Sequence, residues 1–167
     1  MRLFIASPAV ITDYAHIRRR FDDAVRGKWV EEYNVHLTWL FLGECRDVDS
    51  IIRRFMRITP VLTTPVSFCG LGTFGAPPRI LYAKSADARL FAQAEALETA
   101  GFSLPRFTPH VTLCRIKAIT DPSAFKAAQH AFEKTPLGEI RPRLVLYQSL
   151  LTPHGPRYTP LATLPAP

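Results

Sequence analysis

Two short segments of this chain carry the same pair of functional groups. His36-Leu37-Thr38 lies in HLTWLFLG, and His110-Val111-Thr112 lies in HVTLCR. Each pair sits in an apolar run that reads as a β-strand. Residues i and i+2 of a strand point to one face, about 6.5–7 Å apart along the backbone. Imidazole exchanges a proton near neutral pH, and a hydroxyl donates a hydrogen bond without carrying charge. Two such pairs facing each other make a symmetric acid/base site around one small anionic group.

The strand faces sharpen this reading. His36, Thr38 and Leu40 share one face, and Leu37, Trp39 and Phe41 the other; His110, Thr112 and Cys114 share one face, and Val111 and Leu113 the other. The bulky apolar residues supply the buried side. A lone His-x-Thr is usually a surface or hydrogen-bonded pair, but two copies with similar flanks favour function. A metal site is disfavoured, because neither motif has clustered ligands or a carboxylate. A Cys–His pair is also disfavoured, because Cys114 at i+4 lies about 13 Å along the backbone from His110; packing explains it better. Phosphoryl transfer needs no added component. A neutral imidazole takes a proton from water or a hydroxyl, and a charged one returns a proton to the departing oxygen. The two hydroxyls hold the non-bridging oxygens where charge builds up. A cyclic phosphodiester suits this scheme, and the reverse direction allows ligation in principle.

The pattern of elements must bring these strands together. Strands are expected at Arg2–Ala6, Lys28–Glu31, Val35–Leu42, Pro65–Leu71, Arg79–Lys84, Thr108–Ile116, Arg143–Leu151 and Tyr158–Leu164. Helices are expected at Thr12–Val25, capped by Thr12 and ended by Gly27, and at Asp49–Ile58, Asp87–Ala100 and Pro122–Glu133. One helix precedes each His-x-Thr strand and one follows it. This predicts an α+β fold: a single domain over residues 1–167, bilobal, with two pseudo-symmetric sheet-and-helix lobes and the two His strands lining a central cleft.

Composition sets outer bounds. The chain has 167 residues, 47% of them hydrophobic, enough for one buried core. Lys plus Arg outnumber Asp plus Glu by 21 to 14, a formal charge of +7, which favours anionic partners. Three cysteines with no CxxC suggest free thiols in a reducing compartment. The MRLFIASPAV start favours a first strand over a signal peptide, and no run approaches the roughly 20 apolar residues of a membrane span. The expectation is a cytoplasmic protein with no obligatory protein partner. No P-loop or GxGxxG occurs, so no nucleotide cofactor is indicated, and no metal.

The paired motifs HLTWLFLG and HVTLCR resemble the signatures of the 2H phosphoesterase superfamily, and within it the bacterial RNA 2′,3′-cyclic phosphodiesterases, also called 2′-5′ RNA ligase or LigT-like proteins. RLFIA, LGTFGAPPRILYA and SLLTPHGPRYTPL extend the resemblance over nearly the whole chain. It implies a bilobal α+β fold and hydrolysis of cyclic phosphodiester RNA ends to a 2′-phosphate. Carried over by position, His36 and His110 are the acid/base pair and Thr38 and Thr112 the phosphate ligands. The direction assigned is His36 as acid to the 3′ oxygen and His110 as base for water. Trp39 replaces a small aliphatic residue of the family, and a packing effect is expected. Arg115 stands where the family has a basic residue. Strict alternation puts it opposite His110, so phosphate contact needs a bulge or strand end.

Phe74 in GTFGAPP and Tyr158 in GPRYTP are further candidates, as aromatics able to stack on a base. Arg18–Arg20 and Arg53, Arg54 and Arg57 read as solvated helix faces. His16 and His130 read as exposed, and His154 lies in a turn able to approach the cleft. Two rival functions remain: a phosphodiesterase of small cyclic nucleotides or ADP-ribose cyclic phosphate, and a non-catalytic RNA- or nucleotide-binding module.

Overall fold

The computed structural model describes residues 1–165. In chain order its elements are β1 (Arg2–Ile11), α1 (Tyr14–Phe21), β2 (Val25–Trp29), β3 (His36–Glu44), α2 (Val48–Phe55), β4 (Val66–Cys69), β5 (Leu71–Phe74), β6 (Ile80–Lys84), α3 (Ala88–Thr99), β7 (His110–Ile119), α4 (Pro122–Ala131), β8 (Pro136–Ile140), β9 (Leu144–Thr152) and β10 (Gly155–Leu164), with a 3-10 turn at Glu32–Asn34. The fold is α+β, as the pattern predicts.

The sheet has two halves. One runs β10-β9-β1-β3; the other runs β7-β6-β5, with β2 on the β3 side of β7. They meet where β3 pairs antiparallel with β7 at Leu37↔Val111. Helices cover one face of each half. Phe21 of α1 packs on Phe125 of α4 and on Trp29 of β2. Trp39 of β3 stacks on Phe107, which meets Phe91 of α3. The core is continuous beneath both halves, from Leu3, Ile5 and Leu37 to Leu81, Val111 and Leu113, all almost fully buried.

Local chemistry sets the element ends. Asp13, Asp47, Asp87 and Asp121 cap the four helices, each accepting a backbone N–H of the first turn. The first helix is thus capped by Asp13 rather than Thr12, and it ends at Phe21 rather than running to Val25. Gly27 stops no helix; it lies in β2, where an added Cβ would sit 2.5 Å from the Arg115 carbonyl oxygen. β1 runs past Pro8 to Ile11. Pro8, which has no N–H to give, stands where the strand leaves β3 and turns to pair with β8.

Leu37 is fully buried at the junction of the two halves. Leu37→Ala is expected to lower unfolding stability by about 2–5 kcal/mol, read as a shifted denaturant midpoint. A loss under about 1 kcal/mol would show that the joint contributes little.

Candidate active site

His36 opens β3 and His110 opens β7. The antiparallel register about Leu37↔Val111 sets His36 across from Thr112 and Thr38 across from His110. Leu37 and Val111 are fully buried, which turns the four polar residues to the opposite, helix-free face. All four line one cleft of about 520 Å³. The structure therefore brings the two histidines and two threonines together as a square.

Each imidazole is held in the same way. His36 Nδ1 lies 2.6 Å from the Asn34 carbonyl oxygen, and His110 Nδ1 lies 2.7 Å from that of Thr108. A carbonyl only accepts, so each Nδ1 carries its hydrogen and each Nε2 is left free. Aromatic rings flank both. Phe4 and Tyr158 stand 5.4 and 5.5 Å from His36; Phe74 and Tyr82 stand 4.9 and 5.5 Å from His110. Gly72 makes room on that side, since an added Cβ would come within 2.6 Å of the Tyr82 ring.

Arg115 reaches the cleft through a bulge. Tyr82 pairs with Thr112 but Leu81 pairs with Cys114, so β7 has one extra residue there. Leu113 and Cys114 are both fully buried in succession, and the alternation changes phase after them. Arg115 then joins the face of His110 and Thr112 and lines the cleft. Cys114, assigned by strict alternation to the His110 face, is in the core. The bulge is satisfied internally: the Leu113 carbonyl accepts from Val30 N–H at 2.8 Å and from the Tyr14 hydroxyl at 3.1 Å. β3 has a matching irregularity at Trp39, between the pairs Ala6↔Thr38 and Ile5↔Leu40. Trp39 is buried and its indole N–H donates to the buried Ser7 hydroxyl at 2.9 Å. Phe41, expected on the buried face, is 66% exposed and lines the cleft.

Comparison with known proteins places this chain in a family. The model for "LigT like Phosphoesterase" matches residues 5–82. An Archaeoglobus fulgidus protein named RNA 2′,3′-cyclic phosphodiesterase is 31% identical, aligned over 96% of this chain and 98% of its own length. The chain belongs to the LigT-like phosphoesterase family. An Aquifex aeolicus protein of the same name is 29% identical over 93% of this chain and 90% of that protein. The crystal structure of TT0787 of Thermus thermophilus superposes with a TM-score of 0.69 at 26% identity, covering 98% and 96% of the two chains.

In this LigT-like phosphoesterase the remaining candidates take distinct places. Tyr158 lines the cleft and meets the His36 ring edge-on. Phe74 stacks on Tyr82 at 4.2 Å and meets His110 edge-on, so its ring contacts the imidazole itself. His154 lines the cleft as well. Residues that sequence reasoning passed over include Phe41, Arg2 and Lys28 in the lining and the Asn34 and Thr108 carbonyls behind the imidazoles. Phe41 had a readable signal: it stands five residues after His36, as Arg115 stands five after His110. The lining holds three cationic side chains, Arg2, Lys28 and Arg115, and one carboxylate, Glu31. Among the described residues, no group of three or more His, Cys, Asp or Glu is placed to share an ion, and no helix is long and apolar enough to cross a membrane.

Burial holds the His36 pKa below its ordinary 6.5, and the nearby His110 and Arg115 charges act in the same direction; the Asn34 carbonyl opposes them. In NMR titration His36 is expected to titrate below 6.5, and His110→Ala to raise its midpoint. An unchanged midpoint in that variant would show that the imidazoles do not interact. The unfolded chain binds this proton at higher pH than the fold does, so the contribution of His36 to stability falls as pH drops through 6.5.

Proposed function

We propose that this protein hydrolyses RNA 2′,3′-cyclic phosphodiester ends to a 2′-phosphate by metal-independent acid/base catalysis with His36 and His110. The observation that carries this reading is the square of two imidazoles and two hydroxyls across the β3–β7 joint, both Nδ1 atoms tied back to carbonyls. The names of the Archaeoglobus and Aquifex relatives support the substrate class. We take residues 1–167 as one domain of two lobes, because each lobe holds only half of the square. Its three free thiols suit the cytoplasm.

The steps follow from the groups present. His110 takes a proton from water, and the water oxygen attacks phosphorus. The bond from phosphorus to the 3′ oxygen breaks, and His36 gives that oxygen a proton. Thr38 and Thr112 donate to the non-bridging oxygens, and the Arg115 guanidinium balances their growing charge. The products are a 3′-hydroxyl and a 2′-phosphate. A 5′-hydroxyl of a second RNA in place of water gives a 2′-5′ linkage by the same path. Burial biases His36 towards neutrality. The bound phosphodiester anion favours the charged imidazole and readies His36 as the acid. Phe41, exposed on the cleft wall, offers a face on which the terminal base stacks, and Tyr158 and Phe74 keep the imidazoles in place.

Hydrolysis of a small cyclic nucleotide or ADP-ribose cyclic phosphate is the second reading, because a cleft of about 520 Å³ is the size of a small-ligand site. A substrate panel and salt separate the two: RNA binding weakens as salt rises.

Turnover of an oligonucleotide ending in a 2′,3′-cyclic phosphate, in EDTA, is expected to yield a 2′-phosphate with a bell-shaped pH profile. His36→Ala and His110→Ala should each lose about 10²–10⁴-fold in kcat, and Thr38→Val or Thr112→Val about 10²–10³-fold. RNA binding without turnover by the wild type would leave only the binding-module reading.

The acid is distinguished by the leaving group. With sulfur in place of the bridging 3′ oxygen, departure needs no proton, so His36→Ala should recover activity while His110→Ala should not. Recovery of His110→Ala instead would exchange the two roles.

A further inference from the structure

Beside the cleft runs a groove of about 740 Å³, with His36 on the wall the two share. Its walls are the segment from Tyr33 to Val35 and the β9–β10 hairpin from Thr152 to Tyr158, with Pro8 and Tyr147 behind. The two spaces adjoin, since Tyr33, Asn34, His36, His154 and Tyr158 line both. We propose that this groove is the subsite for the nucleotide preceding the cyclic phosphate, with Tyr33 stacking on its base and Arg157 binding the phosphate that joins it to the terminal nucleotide. The proposal rests on the cyclic phosphodiesterase reading and deepens it: the preferred substrate is an oligonucleotide end, not a mononucleotide.

Four observations support it. Tyr33 is 84% exposed, an aromatic face at the mouth of a groove rather than part of the core. Among the described residues no Asp or Glu lines the groove, whereas Arg157 and His154 do. Among the described residues, no carboxylate pairs with Arg157, so its guanidinium is available to a phosphate. The walls are also fastened: the Asn34 side-chain amide donates across to the Pro156 carbonyl oxygen at 3.1 Å, and within the hairpin wall the Thr152 hydroxyl donates to the Gly155 carbonyl oxygen at 2.6 Å. The Asn34 carbonyl also holds His36. The groove is thus preformed, and its edge is the residue that orients an imidazole of the cleft.

The test compares kcat/KM of the full-length protein on three substrates. They are a nucleoside 2′,3′-cyclic phosphate, the same compound with a 5′-phosphate, and a dinucleotide with the same cyclic end. The wild type is expected to gain at each addition, with about tenfold from the added nucleoside. Tyr33→Ala should lose the dinucleotide gain and Arg157→Gln the phosphate gain, each read as the ratio of kcat/KM between substrates on the same variant, with thermal melting preserved. Equal kcat/KM for all three substrates in the wild type, or an equal fall on all three in the variants, overturns the subsite. If the wild type turns over none of them, the catalytic reading fails instead, and calorimetry with the dinucleotide 2′-phosphate decides the subsite alone. Tighter binding by wild type than by Tyr33→Ala then supports it, and equal binding overturns it.

Discussion

The antiparallel contact of β3 with β7 is the constraint on which the rest of the structure depends. One backbone pair, Leu37↔Val111, joins the two halves of the sheet. Because side chains alternate along a strand, burying Leu37 and Val111 turns His36, Thr38, His110 and Thr112 outward together. A slip of one residue in either strand would turn that strand's His and Thr into the core. The apolar residue between each His and Thr is therefore as much a part of the site as its neighbours. Beyond this pair the strands take different partners, β3 following β1 and β7 following β6 and β2, and the cleft lies on the helix-free face they share.

Regular alternation alone would keep Arg115 and Phe41 out of the cleft. One extra residue in each strand reverses the phase after the threonine, at Trp39 in β3 and at Leu113–Cys114 in β7. The fifth residue after each histidine then returns to the cleft. In one lobe this is Phe41, in the other Arg115, so the pseudo-symmetric frame becomes chemically asymmetric. Its cost is met nearby: Tyr14 and Val30 satisfy the Leu113 carbonyl, and Gly27 gives the bulged strand room.

Much of this was legible in the chain. The repeated His-x-Thr in apolar strands marked the square, and the helix before and after each copy marked the two lobes. What escaped was set by contacts distant in sequence. The bulge is fixed by the register with β6, and hydropathy cannot show it, because Leu113 and Cys114 are both apolar. β8 was missed because Pro136, Gly138 and Glu139 do not read as a strand; it exists by pairing with β1 and β4. The carbonyls behind the imidazoles have no side-chain signature at all.

In the proposed reaction one phosphorus sits between the two imidazoles. The most direct measurement is a crystal structure with a nucleoside 2′,3′-cyclic vanadate, a five-coordinate mimic of the attacked phosphate. The account predicts that Nε2 of His36 and Nε2 of His110 contact the two apical oxygens, and that the Thr38 and Thr112 hydroxyls contact equatorial ones. Vanadate held by only one histidine, or bound outside the β3–β7 cleft, would contradict it.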